Sequence, residues 1–258
     1  MSKNRKEINN CIKMSQNFLT SRFKINNCIT KTNLSRNDIV LEIGPGKGHI
    51  TDILLNKCSL VYAVELDFNL YNQLQNKFKN KNNLKLYHHD FLNWQLPNID
   101  KYKVFSNIPF NSTTEIVDKL TKGKYSPEEM WLIMEKGASK RFIGSSKESL
   151  KSLEIKPFFE MDIAYYFQKD DFHPKPKVDI VLVHFKKKDV TDIKEVDKNN
   201  YFNFIKTVRT YGFEKVFTKN QLSRACMIAG LKRDIALNHI KYAHWISLYE
   251  SYKYFNAK

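Results

Sequence analysis

The segment VLEIGPGKGHIT, residues 40–51, constrains the fold of this chain more than any other. An apolar run enters Gly44, Gly46 and Gly48, and a helical pattern leaves them. Glycines at such a junction let the backbone turn tightly and approach a ligand closely at the carboxyl end of a buried strand. The spacing excludes the two common phosphate-binding loops. A dinucleotide fingerprint needs glycine where His49 stands, and a Walker loop needs Ser or Thr after Lys47, where Gly48 stands.

From residue 38 to about 188, short apolar runs alternate with amphipathic stretches. IVLEIG (39–44), LVYAVEL (60–66), LKLYHHD (84–90), KVFSNIP (103–109) and MWLIM (130–134) read as strands. HITDILLNK, NLYNQLQNKF and TTEIVDKLTK between them carry helical spacing. The alternation predicts an α/β fold, a Rossmann-like parallel sheet with crossover helices. DIAYYF (162–167) and DIVLVHFKKK (179–188) are joined by a linker too short for a crossover helix. They are expected to close the sheet as an antiparallel pair. Beyond TDIKEVDKNN (191–200) the pattern turns helical. Two domains follow: 1–190, holding the sheet, and 191–258, small and all-α.

The loop, with Glu42 before it, suggests a cradle for the aminoacyl end of S-adenosylmethionine. The second strand ends in Glu65, placed to accept hydrogen bonds from ribose hydroxyls. The third ends in Asp90, placed to accept from an adenine amine. A lone strand-end Asp commonly caps a turn; three strands ending in order in groups suited to one nucleoside ask for more.

The fourth strand ends in Asn107, Ile108, Pro109 and Phe110, an N-[IL]-P-[FY] pattern. An exocyclic adenine amine is a poor nucleophile because its lone pair is delocalised into the ring. The Asn107 side-chain oxygen and the Ile108 carbonyl can accept both amine hydrogens and favour the pyramidal, reactive state. Pro109 stiffens the turn, and Phe110 can stack on an extruded base.

The formal charge is +16, well beyond the ~2–8 that solubility asks for. It points to a polyanion, either nucleic acid or an acidic membrane surface. No apolar run approaches the ~20 residues of a membrane span, and the opening MSKNRKEINN has no apolar leader segment. Lys140, Arg141 and Lys147 after the fifth strand, with Lys175 and Lys177 in a proline-stiffened loop, are candidate RNA contacts expected on the same rim as Asn107. Cys11, Cys28, Cys58 and Cys226 are scattered, which fits a reducing cytoplasm. Adjacent histidines on a strand face opposite ways, so His88 and His89 cannot chelate together; no metal is expected. Tyr249, Tyr252, Tyr254 and Phe255 are expected to pack a helix rather than stack bases.

The chain resembles the Erm family, ribosomal RNA adenine N6-methyltransferases that confer macrolide, lincosamide and streptogramin B resistance. SQNF (15–18), EIGPGKGHIT (42–51), VELD (64–67), HDFL (89–92), NIPFN (107–111), FHPKPKV (172–178) and FTKNQ (217–221) carry the resemblance along nearly the whole chain. It implies a flipped adenine in the peptidyl-transferase region of 23S RNA, reached before full ribosome assembly by a monomer. It also implies cofactor contacts at Asn17 and Leu19, then Gly44, Glu65, Asp90 and Asn107. The family often has Tyr where Phe110 stands, which keeps stacking and loses a hydroxyl. The 16S dimethyladenosine transferases share the glycine loop and the tetrapeptide; FHPKPKV and FTKNQ favour the resistance family. A non-catalytic RNA-binding protein on the same fold should show damage in the loop or at Asn107, and none is visible. A DNA adenine methyltransferase normally has an acid where Asn107 stands.

Overall fold

The computed structural model describes residues 18–96, 98–99, 101–123, 125–144 and 147–256. Described residues up to Ser139, with Asp162–Lys186, form one compact unit; Lys140–Met161 and the described residues from Lys187 onward form a second.

The first unit is built on a seven-stranded sheet. Its parallel part comprises β2 (Ile39–Ile43), β3 (Leu60–Glu65), β4 (Leu84–His88), β5 (Lys103–Asn107) and β6 (Glu129–Glu135). Helices α2 (His49–Lys57), α3 (Phe68–Lys77) and α4 (Thr113–Lys122) fall in three of the crossovers. The order β4-β3-β2-β5-β6, continued by β9 (Ile180–Lys187) and β7 (Phe159–Tyr166), reverses direction between β2 and β5. Crevices for ligands open at such reversals, beyond the carboxyl ends of the strands. β9 lies antiparallel to β6 and separates it from β7. The chain thus makes the α/β sheet that its alternating pattern predicts.

The central strands are buried along nearly their whole length, whereas edge strand β4 is not. Its alternation has a direct reading. Leu84 and Leu86 pack on the core, while Lys85 and Tyr87 face outward. A two-stranded ribbon joins β1 (Phe18–Leu19) to β8 (Phe172–His173), so the helix that follows it, α1 (Arg22–Ile29), starts from a fixed point. Cys28, Cys58 and Cys226 are buried free thiols.

The second unit is helical. Its α6 (Leu150–Ile155) starts at a capping box formed by Ser149 and Ser152, and the Tyr201 hydroxyl of α7 (Lys198–Tyr211) donates to Leu153 O at 3.0 Å. That packing is why residues 140–161 join the C-terminal helices, although their sequence follows on from the sheet. α5 (Lys136–Ile143) runs from one unit into the other. α8 (Lys219–Ile228) opens on a capping box of Thr218 and Gln221 within FTKNQ. In α9 (Tyr242–Asn256), Trp245 and Tyr249 are fully buried, Tyr249 edge-on to Tyr201 at 5.1 Å. Tyr252 packs on Phe204 at 5.0 Å and Phe255 on Phe217 at 6.4 Å, while Tyr254 is exposed. Among the described residues no helix is long and apolar enough to cross a membrane.

Candidate functional site

The crevice begins where β2 and β5 part company. Their ladder pairs Val40 with Lys103 and Leu41 with Val104. Two residues on, the buried Ser106 hydroxyl takes over, donating to Ile43 O at 2.5 Å and accepting from Ile43 N–H at 3.2 Å. It holds the diverging strand ends at a set separation while satisfying backbone groups that would be orphaned in the gap.

Gly44, Gly46 and Gly48 have φ of 65°, 59° and 74°, a region that costs other residues about 1 kcal/mol or more. Their surroundings differ. Gly44 and Gly46 line the crevice, and a Cβ at Gly44 would meet nothing within 4 Å. At Gly46 it would fall 2.6 Å from the Phe18 ring. Gly48 faces the other way, with Leu74 at 2.7 Å and Phe78 at 2.8 Å from its notional Cβ, so it serves close packing of the loop on α3. Lys77 Nζ ties that side down, donating to Lys47 O at 2.9 Å and to Gly48 O at 3.3 Å.

Both Glu65 oxygens are engaged: Oε2 accepts from Gly46 N–H and Oε1 from Asp67 N–H, each at 2.9 Å. Burial raises its pKa above the usual carboxylate value, against the pull of these backbone donors. Asp90 caps the turn after β4, accepting from Leu92 N–H at 2.9 Å and Asn93 Nδ2 at 2.8 Å. Each carboxylate oxygen can accept further bonds, so both acids combine a loop-building task with a face on the crevice. Below the loop, Glu42 is fully buried and its Oε2 has no partner among the described residues. Burial pushes its pKa up to about 8, and the Glu65 charge adds to this while Thr51 and Lys77 oppose it.

Asn107 ends β5, and Ile108 N–H donates to Ile133 O at 3.3 Å, which anchors the turn to β6. The Ile108 side chain is buried. Pro109, at φ −62°, leads into a 3-10 turn from Phe110 to Ser112, where Ser112 N–H donates to Pro109 O and Thr113 Oγ1 to Phe110 O. Phe110 remains half-buried.

One crevice gathers Gly44, Gly46, Glu65, Asp90 and the whole Asn107–Phe110 turn. It does not gather Gly48 or Leu19, whose side chain lies in the core. Asn17 lies outside the described residues. Phe18 and Phe91 were not singled out in the sequence, yet both line the crevice, Phe18 with Lys47 Nζ 5.4 Å from its ring centre. The order polar, Phe, apolar in QNFL was the available signal for Phe18; its orientation depends on pairing with distant His173.

Lys175 and Lys177 are exposed on the loop after β8, which the Phe18–His173 pairing holds beside β1 and which contains a cis His173–Pro174 bond. Lys175 makes a surface pair with Asp170 at 2.5 Å, a contact of little energetic weight. Lys140, Arg141 and Lys147 are exposed and belong to the second unit. Buried Glu148 accepts from Ser152 Oγ at 2.6 Å and pairs with Lys156 at 2.5 Å, organising the segment that carries Lys147.

The crevice suits S-adenosylmethionine: bare backbone and open space at Gly44, two carboxylates at successive strand ends, and apolar walls from Phe18, Leu66 and Phe91. The ribosomal RNA adenine dimethylase family model matches residues 8–254. An rRNA adenine N-6-methyltransferase of Lysinibacillus sphaericus is 36% identical over 256 residues, covering 95% of this chain and 98% of its own length. Its namesake from Enterococcus faecalis is 33% identical over 253 residues, covering 97% and 100%. The crystal structure of the 23S rRNA methyltransferase ErmE matches with a TM-score of 0.81 at 21% identity, over 91% of this chain and 99% of that one. A dimethyladenosine transferase from Plasmodium falciparum follows at 0.73 and 19%, over 93% and 98%. These last two establish a common fold, and the motif resemblance is borne out. The chain belongs to the ribosomal RNA adenine dimethylase family and is an S-adenosylmethionine-dependent methyltransferase.

Proposed function

We propose that the protein methylates the exocyclic N6 of a flipped adenine in 23S ribosomal RNA, in the peptidyl-transferase loop, and so confers macrolide, lincosamide and streptogramin B resistance. The observation that carries the reading is the shared crevice of the glycine loop and the Asn107–Phe110 turn. Bound S-adenosylmethionine supplies an electrophilic methyl group on a sulfonium. Gly44 and Gly46 receive its aminoacyl end, Glu65 its ribose and Asp90 its adenine; Asn17 and Leu19 contribute from the N-terminal segment, and Gly48 supports the loop from behind.

The Asn107 side-chain oxygen and the Ile108 carbonyl accept the two hydrogens of the target amine. That grip draws the lone pair out of the ring, the step that makes the nitrogen reactive. Pro109 fixes the turn, and Phe110 stacks on the base, a contact worth roughly 1–3 kcal/mol. No strong base is required, because the amine becomes strongly acidic once methylated. Lys140, Arg141, Lys147, Lys175 and Lys177 meet RNA phosphates, and the helical domain, 191–258, adds further contacts. Binding should then lose about 0.7–0.9 log units per log of salt for each phosphate neutralised. The enzyme works as a cytoplasmic monomer on large-subunit RNA before the ribosome is complete.

The deciding experiment is methylation of purified 23S and 16S RNA with labelled cofactor, followed by primer extension to locate the stop. Label confined to 23S RNA at one adenine supports the reading. Label confined to 16S RNA transfers the protein to the small-subunit dimethyladenosine transferases, and no label on either removes the catalytic reading.

A further inference from the structure

Beside the crevice lies a second groove, about 1490 Å³ of open space, that the methyl-transfer chemistry does not use. Tyr62, Tyr87, Asn93, Trp94, Gln95 and Lys119 are among its lining residues. It exists because no helix follows β4 among the described residues. The described residues between Asp90 and β5 form only a turn, and none of them gives the outward face of β3 and β4 a helical cover.

What fills that face is unusual for a bare sheet edge. The Tyr62 and Tyr87 rings are parallel to within 2° at 6.3 Å, and the Trp94 ring stands 5.3 Å from Tyr87, tilted by 50°. Lys85 Nζ lies 5.1 Å from the centre of the Tyr62 ring and 3.2 Å from its hydroxyl. Asn93 and Gln95 place amides at the rim, and no carboxylate occurs among the described lining residues. Aromatic faces flanked by cations and amides suit nucleobases joined by phosphates.

The groove also adjoins the crevice. Lys119 Nζ donates to Leu92 O at 2.8 Å and to Trp94 O at 2.5 Å, so one ammonium fixes the turn between them. Leu92 lines the crevice and Trp94 the groove. The turn therefore stands between the crevice and the aromatic rings.

We infer that the groove is a stacking platform for unpaired nucleotides flanking the target adenine. The choice of RNA as occupant rests on the function proposed above. Bases stack on Tyr87 and Trp94, and Lys85 meets the adjoining phosphate.

Trp94 provides its own probe, since the other two tryptophans, Trp131 and Trp245, are 2% and 0% exposed. Titration with a fluorescein-free oligouridylate should quench Trp94 emission, and Trp94→Phe should abolish the signal. Anisotropy with the labelled oligomer should show binding about ten-fold weaker in Tyr87→Ala, the loss of one stacked base. Tyr87→Phe should bind like the parent, with both variants melting cooperatively. Absence of quenching at concentrations where the labelled oligomer binds would overturn the platform. So would equal affinity of a folded Tyr87→Ala, or quenching by an aromatic peptide and not by oligouridylate, which assigns the groove to a protein. Ribosomal RNA methylation in the same preparation separates the two ideas. Methylation without quenching removes only the platform; quenching without methylation removes the catalytic reading.

Discussion

Glu65 Oε2 accepts the backbone N–H of Gly46 at 2.9 Å, joining the acid at the end of β3 to the loop at the end of β2. Through Oε1 it also holds Asp67 N–H at 2.9 Å. Removing the carboxylate therefore leaves two donors without their partner. Glu65→Ala is expected to lower stability by about 1–3 kcal/mol per orphaned donor and to weaken cofactor binding more than ten-fold. Glu65→Gln, which keeps one acceptor oxygen, should lie between. Urea unfolding and calorimetric titration with the cofactor give both readouts; unchanged affinity in Glu65→Ala would detach this acid from the site.

The glycines separate by what they face. Gly44→Ala carries the cost of a left-handed alanine, about 1 kcal/mol, and projects a methyl into the crevice. Its main effect should be on cofactor affinity. Gly48→Ala drives a methyl into Leu74 and Phe78 and should cost about 2–4 kcal/mol through strain and overpacking. Melting curves and cofactor titrations of the pair should diverge in opposite directions; parallel losses would contradict the separation.

Asn107→Ala removes one of the two proposed acceptors and should reduce turnover by at least 10²-fold while cofactor affinity falls only modestly. Phe110→Ala should lose RNA methylation heavily, whereas Phe110→Tyr should be tolerated, because stacking needs a ring and not a hydroxyl. Single-turnover rates on one RNA substrate decide both. Near-normal turnover of Asn107→Ala would end the acceptor-pair mechanism, and equal tolerance of the two Phe110 variants would remove the stacking role.

Glu42 links stability to pH. Its pKa is raised from 4.5 to about 8 in the fold, so the folded chain prefers the neutral acid. That contribution is fully present below pH 4.5 and is lost as pH rises through 8. Glu42→Gln, which cannot ionise, should gain on the parent by a few kcal/mol between pH 5 and 8.5, on the order of 1.4 kcal/mol per unit crossed. Urea midpoints of both proteins across that range test it; a constant difference would mean that Glu42 stays ionised.

The elements that local pattern specifies were legible without coordinates. HITDILLNK and TTEIVDKLTK each form a helix with those very ends, and the parallel strands fall where their apolar runs lie. The helices Arg22–Ile29, Lys136–Ile143 and Leu150–Ile155 are too short for their spacing to declare them, so packing and caps such as the Ser149–Ser152 box decide them. The crevice was legible as a set of strand ends, because parallel strands place all their carboxyl ends on one side. Phe18 was not, since its position follows from the β1–β8 pairing.

The sequence by itself determined which residues carry chemistry: Gly44, Gly46, Glu65, Asp90 and Asn107–Phe110 each stand at a strand end that the apolar pattern marks. Only the tertiary structure decided what each one faces. Gly48 turns toward Leu74 and Phe78, Glu42 sinks beneath the loop, and Tyr62, Tyr87 and Trp94 come together across positions distant in the chain. The physical reason is that strand ends follow from local periodicity, whereas orientation, burial and the pKa that burial shifts depend on neighbours supplied by the folded sheet.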